Sequence, residues 1–395
     1  MRVLLAAASV SSQISGVQRH ALNVARALLT RSEVSEVRLV VAPWQLEMVR
    51  RSGVEENSRL SVACAAMERS AWSRNRWFYR ELPHLAKSFA ADVVHLAYPV
   101  PVAASEFTCA TAVTLHDLYP YEIPSNFGFP KVMFNRFILQ QCLRSVDAIA
   151  CVSEVTQQRL HDYVPKRVSA KASRIYNCVE AESVCAVDSP FEDWNGRPFL
   201  LCVAQHRRNK NIPFLLSVFT RLIRSGQIDP KTRLVVVGIS GPETSKIERA
   251  VKAADMSDSV VFAEGLSDAE LQWCYRNCGA VLAPSTIEGF GLPVAEALLA
   301  GCPVVCSDIP AFRELGGTHC RYVRLDQNAE SAFAAAVVAV LREPRKDAIA
   351  LPALSTSAIA EQYVRLYSKL RTTDAARHLV MRGSARATVT ERSHP

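Results

Sequence analysis

The sequence holds no C-x-x-C pair and no Cys/His set at zinc spacing, although it has 12 cysteines. That excludes zinc ribbons and fingers and a thioredoxin-type redox motif; cysteines standing singly in apolar segments are the buried thiols of a reducing compartment. There is no D-x-D dyad for a metal-bound diphosphate, no G-x-x-x-x-G-K-[ST] loop and no G-x-S-x-G elbow, which sets aside P-loop chemistry and the serine hydrolase fold. Glycine is sparse, 15 in all, and has no period, so collagen-like and low-complexity classes are out. No uninterrupted apolar run reaches 18 residues, and the opening MRVLLAAAS is too short for a signal peptide core. A cytoplasmic protein with at most peripheral contact at the inner face of the cell membrane is expected.

The chain has 395 residues, 49% of them hydrophobic, which suits two cores rather than one. The net charge of +8 is spread evenly: residues 1–190 carry 21 Lys+Arg against 17 Asp+Glu, and the remainder 25 against 21. Without a concentrated basic stripe, nucleic acid is not an expected partner. The one aromatic and basic stretch, SAWSRNRWFYRELPHLAK, spaces Trp72, Arg76, Tyr79 and Arg80 as a helix does. A packed amphipathic helix with snorkelling arginines is its first reading, and an acceptor or lipid-surface patch its functional one.

Short β-branched runs alternate with helical patterns from the start. RVLLAAA, VRLVVAP, DVVHLAY, TAVTLHD, DAIACVSE and SRIYN are expected strands; the alternation breaks at AVDSPFEDWNGRP and restarts with PFLLCVA, RLVVVG, SVVFAEG, GAVLAPS, CPVVCSD and RYVRL. The pattern predicts an α/β protein of two doubly wound, Rossmann-like domains, 1–185 and 199–355, joined by a linker at 186–198. A last helix over 356–371 and a frayed basic tail over 372–395 complete the expectation. Ligands of such sheets sit at the carboxyl ends of the strands, so the site belongs in the cleft between the two domains.

Three clusters fall at expected strand ends. EGFGLPVAE follows GAVLAPS: Gly289 and Gly291 permit a sharp turn, Phe290 and Leu292 lie between and after them, and Pro293 suits the first turn of a helix. Free amides at such a helix start favour an anion such as a diphosphate. Glu288 and Glu296, flanking an anion, are better suited to accepting hydrogen bonds from sugar and ribose hydroxyls. After PFLLCVA come Gln205, His206, Arg207, Arg208 and Lys210, four of them basic or potentially so, enough to neutralise a diphosphate without a metal. In the first half Gly16 ends the loop after strand one without forming a G-x-G-x-x-G fingerprint, and His116 ends the strand TAVTL.

On these residues the chain resembles the retaining GT-B glycosyltransferases of the group 4 family, from RVLLAAA to about residue 370. EGFGLPVAEALLAGCPVVCSDIPAFRELGG is similar to the family's E-x7-E signature, supported by SGVQRHALNVARAL, TLHDLYP, RIYNCVE and VAQHRRNKN. The resemblance implies a GT-B fold and metal-independent transfer of a hexosyl unit, mannosyl from GDP-mannose favoured, to a glycan or lipid-linked acceptor in surface polysaccharide assembly. It implies no cofactor beyond the nucleotide diphosphate sugar. Glu288 and His116 would face the transferred sugar and Glu296 the ribose. Lys210 with a neighbouring arginine would hold the diphosphate, Gly16 would approach the phosphates, and Phe262 to Gly265 would face the base. Where the family has Gly-Arg this chain has Ala204-Gln205, so the arginine's role falls to Arg207, to Arg208 or to Gln205 itself. A nucleotide-sugar 2-epimerase and a silent binding subunit are the alternatives on the same fold.

Overall fold

The computed structural model describes residues 1–11, 15–180, 188–191, 194 and 196–390. Parts of the expected linker and the last five residues of the expected tail lie outside the described residues.

Two wholly parallel sheets carry the chain. The first has seven strands in the order β3-β2-β1-β4-β5-β6-β7: β1 Arg2–Ala6, β2 Glu36–Val41, β3 Leu60–Cys64, β4 Val93–Leu96, β5 Ala110–Leu115, β6 Ala148–Cys151 and β7 Ala172–Arg174. The second has six in the order β10-β9-β8-β11-β12-β13: β8 Phe199–Val203, β9 Arg233–Val237, β10 Val260–Ala263, β11 Ala280–Ala283, β12 Val304–Ser307 and β13 Arg321–Val323. Each reverses direction of winding beside its first strand, which makes β1/β4 and β8/β11 the switch points where ligand crevices form. Burial on both faces explains the near-continuous apolar character of strands such as Val93–Leu96 and Val304–Ser307. β3 was not among the expected strands. It is an edge strand, every residue of it partly or fully exposed, so LSVAC carries no buried run to announce it.

Four apolar clusters fill the two faces of the two sheets. The last helix, Thr356–Thr390, returns to the first sheet: Ile359, Tyr363, Val364 and Tyr367 join the core of Val3, Leu5, Val24 and Leu28. It runs some five turns past the expected end near residue 371, in place of a frayed tail. The sequence gives it no stop, since its one glycine is Gly383 and no proline occurs before Pro395. The described linker residues are not a loose tether either, because Phe191 and Trp194 pack on Phe199 and Trp273. Among the described residues no helix is long and apolar enough to cross a membrane.

The SAWSRNRWFYRELPHLAK stretch forms the helix Ala71–Ser88, with Trp77, Phe78, Leu82 and Ala86 packed under the first sheet and Trp72 left 72% exposed. The packed amphipathic helix is thus what the structure shows.

Candidate active site

The carboxyl ends of β5 and β11 meet across the cleft. After β11 the chain runs through Ser285 to Gly291 and enters the helix Leu292–Leu299, which begins on Gly291 with φ 109° and no side-chain cap. A side chain at 291 would strike the Phe312 ring at 2.9 Å, so glycine serves both the backbone angle and the packing there. Gly289 meets a different limit: a Cβ there would lie 1.8 Å from the His116 carbonyl oxygen. The glycine loop of one half therefore lies directly on the β5 end of the other. The Gly289 carbonyl accepts from Ser153 Oγ at 2.5 Å and Thr156 Oγ1 at 3.0 Å, which fixes that contact. The Glu314 carboxylate, also from the second half, caps the helix Glu154–Tyr163 through the amides of Glu154 and Val155.

Glu288 is 8% exposed and held from both halves. Lys210 donates to its Oε1 at 2.6 Å and Tyr119 to its Oε2 at 3.1 Å. Asn209, almost wholly buried, donates to the Ile287 carbonyl and reaches the Tyr119 hydroxyl, while its own carbonyl accepts from the Thr286 amide at 2.8 Å. Asn209 thus ties the basic turn after β8 to the loop after β11. Arg207 lies near enough to Asp117 to favour its ionised form, whereas Arg208 points to solvent. Of the two arginines among the candidates, Arg207 is the one whose charge acts on Asp117. His206 is not part of the cationic set: it is 3% exposed, bonded to Thr244 and stacked edgewise on Phe262, and burial holds its pKa down.

Glu296 sits one turn into its helix, 9% exposed, with the Tyr275 hydroxyl donating at 2.6 Å. Arg19, from the helix Gly16–Leu29 of the first half, reaches it at 3.4 Å and Asp268 at 2.6 Å. Burial raises the Glu296 pKa, against the pull of Arg19. Gly16 opens that helix and faces the Leu292 side chain, 3.7 Å from where a Cβ would stand. A cavity of about 50 Å³ beside Glu296 is lined by Arg19, His20, Asn23, Leu271 and Leu292. Phe290 is the expected donor residue whose side chain goes elsewhere. It is 5% exposed in an apolar cluster with Val152, Val179, Ala295 and Leu354, so it joins the halves rather than facing the cleft. Gly265 takes φ 73° in the turn after β10 with open space around it, beside the half-exposed Phe262.

Tyr119, Asn209, Tyr275 and Arg19 were not singled out from sequence. Each acts by contact with a glutamate 21 to 277 residues away, or by bracing one, and no local spacing signals such pairs.

Beneath the cleft lies a row of histidines. His116 Nε2 lies 2.9 Å from the Ala97 carbonyl oxygen, and since a carbonyl only accepts, Nε2 carries the proton and donates it. Its ring meets His20 edge to face at 4.8 Å, and His20 and His95 both bond the Thr114 hydroxyl. Tyr367 of the last helix closes the row on His95. Desolvation holds His116 at about 4 and His95 at about 3, and pushes His20 well below 6.5, so all three are neutral at physiological pH. Desolvation acts on Asp117 in the opposite sense, up to about 6. The signs define a stability profile. Depressed histidine pKa values give stability that is present above about pH 6.5 and lost as pH falls toward 4; the raised Asp117 gives a smaller contribution lost as pH rises through about 6. We predict that the melting temperature falls between pH 6.5 and 4. Asp117→Asn should raise it at pH 7.5 and leave it unchanged at pH 4, as thermal scans across that range will show.

Two parallel sheets with a crevice between their strand ends, a bare helix start and two buried carboxylates make up the candidate site. The profile described as Glycosyltransferase Family 4 matches residues 14–183 and that described as Glycosyl transferases group 1 matches residues 189–350. The chain belongs to this glycosyltransferase family. The O-antigen chain mannosyltransferase RfbU of Salmonella typhimurium is 29% identical over 54% of this chain and 56% of its own length. The O-antigen chain mannosyltransferase B of Escherichia coli is 24% identical over 80% of this chain and 85% of its own. Among solved structures, sucrose-phosphate synthase of Thermosynechococcus elongatus superposes with a TM-score of 0.68 at 16% identity, covering 98% of this chain and all of that one. WaaG, a glycosyltransferase involved in lipopolysaccharide biosynthesis, gives 0.64 at 16%, covering 94% and 98%. These likenesses establish the GT-B fold.

Proposed function

We propose that the protein transfers a hexosyl unit, with mannosyl favoured, from a nucleotide diphosphate sugar to an acceptor hydroxyl, with retention at the anomeric carbon and without a metal. The observation that carries this reading is Glu288, which is held by Lys210 of its own half and by Tyr119 of the other. Its oxygens would accept from sugar hydroxyls, and Lys210 would then lie next to the diphosphate. Departure of the diphosphate builds negative charge, which Lys210, Arg207 and the bare start of the helix Leu292–Leu299 are arranged to stabilise. The neutral His116 imidazole at the β5 end suits contact with a sugar hydroxyl better than with phosphate. Two relatives are named for O-antigen chain mannosyl transfer, and a third is the alpha-monoglucosyldiacylglycerol synthase of Streptococcus pneumoniae. These names favour a mannosyl donor and an acceptor for surface glycan or glycolipid assembly.

A donor whose ribose is held by Glu296 takes the place of Arg19 on that carboxylate, and closure of the halves over it would exclude water from the reaction. Glu296→Ala removes the carboxylate proposed for the ribose and leaves Tyr275 unpartnered. The nucleotide dissociation constant should rise by about tenfold to a hundredfold, on the order of 1.5 to 3 kcal/mol. Calorimetric titration with GDP and UDP tests this, and unaltered affinity would remove Glu296 from the site. Incubation with the donor alone separates the 2-epimerase alternative, since only an epimerase converts it to an epimeric sugar.

A further inference from the structure

Four of the eight exposed large apolar side chains of the described residues gather in one short segment of the first half. Phe129 is 87% exposed, Met133 and Phe134 53% each, and Phe137 67%. Phe129 precedes the helix Lys131–Ser145, and the other three lie on one of its faces, while Leu139, Cys142 and Leu143 on the opposite face fill the core under the sheet. A helix apolar on two sides with only one of them covered has an unpartnered face.

Two features say what covers it. From Ile123 to Val146 there is no acidic residue, while Lys131, Arg136 and Arg144 supply three positive charges, Lys131 and Arg144 of them exposed. Aromatic side chains with basic residues and no acids fit the interfacial zone of an anionic bilayer, whereas a second protein surface would as a rule supply or meet charges of both signs. The segment is also continuous with the cleft. Asn126 donates to Asn209 of the other half at 3.3 Å, and Arg136 donates to the Pro120 carbonyl at 2.8 Å, one residue from Tyr119. Trp72, exposed at the start of the helix Ala71–Ser88 whose buried side joins the same core cluster, is a further exposed aromatic of this half.

We infer that the face formed by Phe129, Met133, Phe134 and Phe137 is the protein's docking surface for an anionic lipid bilayer, which sets the acceptor side of the cleft at the membrane. This rests on the transferase reading for its purpose but not for its test. Full-length protein is sedimented with phosphatidylcholine vesicles with and without phosphatidylglycerol, alongside a Phe129→Ser/Phe137→Ser variant. Wild type should bind the anionic vesicles, more weakly at high salt, and the variant at least about tenfold less. Both positions are exposed, so thermal unfolding and nucleotide binding should stay as in the wild type. No vesicle binding by the wild type, or equal binding by the variant, would overturn the inference. So would a concentration-dependent dimer that the variant dissolves, because the face would then belong to a second copy of the chain. Vesicle binding by a protein that transfers no sugar would sink the proposed function and leave this surface standing.

Discussion

An alanine at position 289 should reduce turnover by about a thousandfold or more while leaving both halves folded. The backbone angle is not the reason. The added methyl would stand 1.8 Å from the His116 carbonyl oxygen and 3.3 Å from Asp117 Cβ, and a carbonyl at a strand end has little freedom to retreat. The loop carrying Glu288 must then move off β5, and the bonds from Ser153 and Thr156 to the Gly289 carbonyl open with it. A displacement of about 1 Å at a reacting centre lowers rates by about a hundredfold, and here the displaced residue is the one proposed to hold the sugar. The cores of the two sheets contain neither Gly289 nor its contacts, so circular dichroism and the main thermal transition should change little. Steady-state kinetics with the donor at saturation measure the effect, and a variant with more than about a tenth of wild-type kcat would show that the loop contact is dispensable.

Replacing Glu288 with glutamine should lower kcat by about a hundredfold to a thousandfold with nucleotide affinity held within about threefold. The amide keeps the size of the carboxylate but carries no charge for Lys210 at 2.6 Å, and only one of its two polar atoms can accept a hydrogen bond. Nucleotide affinity is the contrasting readout, because Glu296, Tyr275 and Arg19 form a separate group of contacts. Lys210→Met should act through the same unit, so the double variant should be less impaired than the product of the two single losses. A Glu288→Gln protein that binds nucleotide poorly but turns over normally when saturated would place this carboxylate on the nucleotide rather than on the sugar.

The parallel strands were legible because burial on both faces writes them as unbroken β-branched runs, Val93–Leu96 and Val304–Ser307 among them. The edge strand β3 was not, since exposure on the edge removes that signal. Glu288, Glu296, Gly289 and Gly291 stood out because a strand, a glycine turn and a helix start lie in one contiguous string, and Lys210 because basic residues crowd the end of another strand. Tyr119, Tyr275, Asn209 and Arg19 were not, because each takes its role from a residue brought near only by the fold. Phe290 and His206 stood in the right strings and still turned away, one into the seam between the halves and the other into a buried contact with Phe262. The patch at Phe129 to Phe137 was hidden for a related reason: its apolar residues cannot be told from core ones until the opposite face of the same helix is seen to be the buried one.

The most direct test of the central claim is the anomeric configuration of a product formed in the presence of a metal chelator. The protein is incubated with GDP-mannose, an α-linked donor, and a lipid-linked or glycan acceptor in excess chelator, and the one-bond C1–H1 coupling of the transferred sugar is measured by NMR. The account predicts an α-linked mannosyl product formed at the rate seen without chelator. A β-linked product, or transfer that stops when metal is withdrawn and returns when it is restored, would contradict it.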